Sequence, residues 1–154
     1  MSERSSVRVG GWREWVDLPG LELSGVKAKL DTGARSSALH AWDIEPFERD
    51  AQRWVAFNVL PVHRDNGQIR RCESPLVGEK TIKSSTGTRT HRCMIRTTIN
   101  LGSQSWSIDL TLVDRSDMLF RLLLGRTALR DRVIVDPSLS YLLSGKQPRR
   151  DQSK

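Results

Sequence analysis

The chain has 154 residues, 37% of them apolar, and carries a formal net charge of +7. That length suffices for one domain with a real core, and no stretch approaches the roughly 18 apolar residues of a membrane span. Met-Ser-Glu-Arg-Ser-Ser at the start is unlike a signal peptide, and Cys72 and Cys93 are too few for a disulfide scaffold, so the expectation is a reduced, cytoplasmic protein.

Residues 1–9 and the basic tail 145–154 are polar and expected to be disordered, leaving 10–144 as a single domain. Residues 12–18, Trp-Arg-Glu-Trp-Val-Asp-Leu, read as a first strand closed by Pro19-Gly20. Val26, Ala28 and Leu30 share one face by the strand period of two. They run directly into Asp31-Thr32-Gly33-Ala34, and residues 37–41 form a second short strand. Gly33 permits either a positive φ or close approach to another backbone, and the Thr32 hydroxyl can satisfy buried polar groups. A carboxylate at the tip of such a turn is placed for chemistry; the plainer reading is an Asx-turn residue.

Residues 53–62 read as another strand. Asp65-Asn66-Gly67 is a strong hairpin signal, with residues 69–72 as the returning strand. Ile95, Thr97, Ile99 and Leu101 then alternate up to Gly102-Ser103-Gln104, and Trp106, Ile108, Leu110 and Leu112 alternate back. Ser107, Asp109 and Thr111 take the opposite, wet face. Leu122-Leu123-Leu124-Gly125 suits a short central strand, and residues 127–132 one or two helical turns. Residues 133–135 and 141–143 read as closing strands around Asp136-Pro137. Short strands punctuated by Gly, Pro and Asn indicate an all-β barrel or sandwich. The five Trp residues, Trp106 included, are assigned to the core.

The positive charge is clustered at Arg64, Arg70 and Arg71, at Arg89, Arg92 and Arg96, and at Arg149, Arg150 and Lys154. Such a balance favours acidic partners. Aromatic residues are not interleaved with these arginines as stacking platforms, which argues against nucleic acid and for solvated strand faces.

Most catalytic signatures are missing. There is no His-Glu-x-x-His, and His40, His63 and His91 stand far apart. His91 and Cys93 share a strand face, but sequence spacing gives them no further metal ligand, and His40 reads as a strand histidine. Residues 77–81 lack the earlier glycine of a phosphate loop, and no serine or cysteine sits on a nucleophile elbow. What remains is the Asp31 carboxylate. Two carboxylates held close share one proton, so that one acts as base and the other as acid, and they titrate as a pair. With a single Asp-Thr-Gly, the chain builds such a pair only across the axis of a symmetric dimer.

Asp31-Thr32-Gly33-Ala34 after an apolar strand resembles the active-site loop of retropepsin-like aspartic proteases. Leu123-Leu124-Gly125-Arg126-Thr127-Ala128-Leu129 resembles their second hallmark, an apolar pair and glycine opening a short helix. With Arg35-Ser-Ser-Ala-Leu-His-Ala41, Ile95-Arg-Thr97 and Leu101-Gly-Ser-Gln-Ser-Trp106, the set is similar to a bacterial subgroup. That subgroup is often labelled "ATP-dependent zinc protease" and is associated with ATP-grasp glutamate ligases. The resemblance implies a closed, single-lobe retropepsin-like β-barrel with one short helix, acting as a homodimeric aspartic peptidase. Asp31 of each copy would be the catalytic acid/base. Thr32 would bond across the dimer axis, Gly33 would offer its N–H to the carboxylate, and Ala34 would pack beneath. Leu123, Leu124 and Gly125 would back the loop. Arg126 would either pair with an acid at the interface or stand in solvent. His63, Arg64, Asp65, Asn66 and Gly67 would form the flap over the substrate, with residues 84–87 as the second candidate.

No zinc tetrad or phosphate loop accompanies these motifs, so neither a metal nor another cofactor is assigned. The ligase association implies an ATP-consuming partner and an acidic, glutamate-extended substrate, in agreement with the net charge. Two other readings stand beside the peptidase: a non-catalytic dimeric peptide-binding module of the same fold, and a metal-dependent protease.

Overall fold

The computed structural model describes residues 7–60, 68–83, 85–115 and 119–146. Eleven strands, a 3-10 turn at Pro19–Leu21 and one α-helical turn lie in these residues: β1 Arg8–Gly11, β2 Arg13–Leu18, β3 Leu23–Leu30, β4 Ser37–His40, β5 Trp42–Arg49, β6 Gln52–Val59, β7 Arg70–Lys83, β8 Arg89–Leu101, β9 Gln104–Val113, β10 Leu122–Leu124, α1 Arg126–Leu129 and β11 Val133–Asp136. Six of them close into a barrel in the order β2-β3-β10-β4-β9-β8, with Asp17 of β2 pairing Asn100 of β8 at the seam. From β8 the sheet continues outward through β7, β6 and β5. A separate two-stranded parallel sheet joins β1 to β11, Arg8 opposite Val133. The fold is the all-β retropepsin-like barrel with a single short helix.

The hairpin of β8 and β9 is the barrel's regular side. Ile99 pairs Trp106 and Ile95 pairs Leu110, and the inward residues Cys93, Ile95, Ile99, Leu101, Ile108, Leu110 and Leu112 are buried. They meet Val16, Leu18, Leu23, Ala28, Leu39, Leu122 and Leu124 in one core. At about 1.5–3 kcal/mol for each fully buried aliphatic side chain, this shared core dominates the stability of the barrel.

Several elements depart from the sequence reading. Arg8 and Val9, expected to fray, lie in β1, because Arg8 N donates to the Arg132 carbonyl and the strand pairs with β11. Residues 42–49, read as no element, form β5, an outer strand that turns into β6 through Asp50 and Ala51, both at positive φ. Residues 141–143 are a turn, with Tyr141 at φ 57°.

The physical reason for that turn is Glu14. Val16 and Leu18 of β2 face the core and Glu14 shares their face, fully buried. Its carboxylate accepts hydrogen bonds from the backbone N–H groups of Gly11, Leu142, Leu143 and Ser144 and from the Ser144 hydroxyl, at 2.7–3.2 Å. A buried carboxylate is tolerated only when its lone pairs are filled in this way. With Glu14 turned inward, Trp15 lies on the outer side of β2, stacked on Tyr141 at 5.4 Å. Of the five tryptophans only Trp106 is buried; Trp12, Trp15, Trp42 and Trp54 are half-buried. The expectation of five core tryptophans is therefore corrected.

The arginines on outer strand faces are largely paired. Arg71 meets Glu45, Arg96 meets Asp109 at 2.8 Å and Arg49 meets Glu73 at 2.8 Å. Exposed pairs of this kind add little to stability. Among the described residues, no helix is long and apolar enough to cross a membrane.

Candidate active site

β3 delivers Asp31 to the open end of the barrel, and β10 holds it there. β10 threads between β3 and β4, parallel to the first (Leu124 opposite Leu30) and antiparallel to the second (Leu123 opposite Ala38). The Asp31 N–H donates to the Leu124 carbonyl at 2.8 Å, so the strand that backs the loop also fixes where it begins. Ala34 N closes the turn on the Asp31 carbonyl at 3.1 Å, and Gly33 N donates to Asp31 Oδ1 at 2.9 Å. The carboxyl group is half-buried, and Thr32 and Gly33 stand exposed beside it. This N–H fixes the orientation of the carboxyl group.

Gly33 has no positive φ; a Cβ there would instead come within 3.2 Å of Asp31 Oδ1. Gly125 answers to a tighter constraint. A Cβ on it would stand 2.5 Å from the Ser36 carbonyl oxygen and 2.9 Å from that of Ala34. The β10-to-α1 corner thus lies directly against the Asp31 loop. Gly125 N bonds the buried Ser37 hydroxyl at 3.0 Å, Arg126 N the Ala34 carbonyl at 2.8 Å and Thr127 N the Arg35 carbonyl at 3.0 Å. Leu124 and Gly125 are buried and Leu123 is half-buried. Arg126 stands exposed, and its guanidinium donates to the Thr32 carbonyl at 3.0 Å, clasping the loop from outside.

The helical turn is anchored from below, since Trp106 Nε1 donates to the Ala128 carbonyl at 2.9 Å. In front of it opens a shallow cavity of about 360 Å³, lined by Val7, Thr32, Arg126, Leu129, Val133 and Ile134 among others. Val9 and Ile134 on the neighbouring β1–β11 sheet are 46% and 55% exposed, an apolar surface contiguous with the exposed side of the loop. Sequence reasoning missed this surface, because β1 was expected to be disordered. The signal was present in the alternation of Val7 and Val9.

His40 faces away from this chemistry. Its Nδ1 accepts from Arg115 N at 3.2 Å, and the ring stacks on Trp42 at 5.4 Å. The expected flap, His63, Arg64, Asp65, Asn66 and Gly67, lies outside the described residues. Of the second candidate, residues 85–87 make the exposed turn between β7 and β8, with Gly87 at φ 89°. Among the described residues one group of side chains has the donor types to hold a metal: Glu79, His91 and Cys93. The hydrogen bond from His91, with Arg53 beside it, holds the Glu79 carboxyl below its ordinary range. Burial pushes the Cys93 thiol up.

A one-lobed β-barrel whose Asp-Thr-Gly-Ala loop is backed by an apolar strand, a tight glycine corner and a helical turn defines a retropepsin-like protein. The chain belongs to the RimB-like family, described as retropepsin-like aspartic endopeptidase RimB, which it matches over residues 9–146. It is 41% identical over 143 residues to a "probable alpha-L-glutamate ligase" of Desulfotalea psychrophila, covering 93% of this chain and 31% of that protein. It is 44% identical over 133 residues to the like-named protein of Parasynechococcus marenigrum, covering 86% of this chain and 28% of the relative. The chain thus spans about three tenths of the length of the curated relatives it matches. A crystal structure of a protein of unknown function from Legionella pneumophila is similar with a TM-score of 0.73 and 30% identity, over 88% of this chain and 98% of that one.

Proposed function

We propose that two copies of this chain form an aspartic peptidase, each contributing Asp31 to a shared dyad. The observation that carries the reading is the Asp31 loop: a half-buried carboxyl oriented by the Gly33 N–H, held by β10, beside an exposed apolar surface. A second copy related by a two-fold axis would cover Val9 and Ile134 and bring the Thr32 residues of both loops together. The axis then sets the two carboxyls side by side, where like charge leaves one of them protonated. The ionised member takes a proton from a water held between them as the water oxygen attacks the peptide carbonyl carbon. The protonated member hands its proton to the amide nitrogen, the tetrahedral species breaks at the C–N bond, and the dyad is left with one proton again.

The substrate we assign is an acidic, glutamate-extended protein. The net charge of +7 favours it, as does the ligase name borne by the relatives, which also makes an ATP-grasp glutamate ligase the partner of choice. A cytoplasmic site of action agrees with Cys72 and Cys93 both being free thiols. The relatives' name equally favours a second reading, a dimeric peptide-binding module that presents a glutamate-extended chain without cutting it.

Asp31→Asn decides between the two. On a glutamate-extended protein substrate the variant should dimerise as before and lose hydrolysis by at least about a hundredfold, the scale of general acid–base catalysis. Hydrolysis unchanged in Asp31→Asn rejects the dyad, and peptide binding without any turnover in the unaltered chain selects the binding module.

A further inference from the structure

β7 and β8 run as a long hairpin, and their pairing slips between Leu76 and Gly78. Up to Leu76 the inward side chains of β7 are the even ones, with Cys72 and Ser74 buried and Glu73 and Pro75 exposed. After the slip, Glu79 lies opposite Cys93 and Thr81 opposite His91. One extra residue in a strand flips every following side chain to the other face. The bulge at Val77 therefore turns Glu79 toward the face that already carries Cys93 and His91. The Glu79 carboxylate, the His91 imidazole and the Cys93 sulfur lie within 4.8 Å of one another, with His91 Nε2 at 2.9 Å from Glu79 Oε1.

We propose that Glu79, His91 and Cys93 form a zinc site that clasps β7 to β8 at this bulge. Thiolate, imidazole and a single carboxylate oxygen are the donors zinc accepts, whereas magnesium and calcium reject sulfur. Metal–ligand bonds of 2.0–2.3 Å put tetrahedral ligands about 3.5 Å apart, so the set must contract by about 1 Å. The two exposed members supply that movement, since the His91 and Glu79 side chains are 54% and 32% exposed. Cys93 is fixed, being 1% exposed.

The same burial argues against the other chemistry available to these groups. A thiol beside an imidazole and a carboxylate resembles a nucleophile with its base and orienting acid, but a sulfur so covered does not reach a substrate carbonyl. A structural ion needs no such access. Arg53 spans the two Glu79 oxygens at 3.3 and 3.4 Å, a loose contact that a divalent ion displaces. The fourth position is left to water. None of the donors belongs to the Asp31 loop, so the site stands or falls separately from the peptidase reading.

The full chain, stripped with a chelator and dialysed, is titrated with Co²⁺ alone and then with Zn²⁺. One equivalent of Co²⁺ should raise a near-ultraviolet thiolate-to-metal band, which Zn²⁺ then abolishes by displacement. Cys93→Ser should lose the band; should that variant not fold, the exposed His91→Gln and Glu79→Gln carry the test, each weakening Zn²⁺ by about tenfold or more. Asp31→Asn should bind the metal as the unaltered chain does. Absence of the thiolate band, or Zn²⁺ affinity unchanged in His91→Gln and Glu79→Gln, overturns the proposal.

Discussion

A methyl group on Gly125 would sit 2.5 Å from the Ser36 carbonyl oxygen, and that oxygen belongs to backbone unable to rotate away. Gly125→Ala must therefore push the β10–α1 corner off the Asp31 loop and strain the bond from Gly125 N to the Ser37 hydroxyl. The expected loss is about 1–3 kcal/mol, the range for overpacking a tight site, read as a lowered midpoint in urea unfolding. Gly125 was legible as the end of a short apolar strand, but the crowding that demands a glycine was not, since the Ser36 and Ala34 carbonyls come from a loop about 90 residues earlier. The reason given for Gly33 was only half legible: a positive φ and a close approach look alike in a sequence, and the structure has the second, to the carboxylate two residues earlier. The clasp of Arg126 on the loop was not legible, since its acceptor is a backbone carbonyl, which no side-chain pattern announces.

At the level of elements, the β8–β9 hairpin was legible throughout because its alternation is strict and a glycine turn divides it. β5 escaped notice for three local reasons. It carries Pro46, which is tolerated because β5 is an outer strand; its inner face is only half-buried; and its turn uses Asp50-Ala51 in place of the expected glycine. β7 was seen only at its start, since the bulge breaks its period and the residues after it are mostly polar. The turn at 141–144 was misread as a strand because Tyr-Leu-Leu has strand composition, while the cause of its shape lies far away, on β2. Glu14→Ala tests that cause. It would leave four backbone N–H groups without their acceptor, at about 1–3 kcal/mol for each that water does not reach. A loss of at least about 3 kcal/mol is expected, with hydrogen exchange at Leu142, Leu143 and Ser144 rising first. Protection unchanged at those three amides would refute the assignment.

For the whole molecule, the question is whether the apolar edge at Val9 and Ile134 faces a second copy. Ile134→Glu places a charge on that edge while leaving the barrel core untouched, since Ile134 is 55% exposed. Sedimentation should show a monomer, with thermal unfolding of the barrel little changed and hydrolysis lost along with the dimer. A dimer that persists in Ile134→Glu removes this edge from the interface. The arrangement of the chain also sets a timetable for folding. β1 at residues 8–11 pairs with β11 at 133–136, and Glu14 waits for the N–H groups of residues 142–144. β1 and Glu14 thus acquire their partners only after more than 100 intervening residues. Topologies dominated by such distant pairings fold in about milliseconds to seconds, and a chain emerging from the ribosome holds β1 uncommitted until residues 133–136 have also been made.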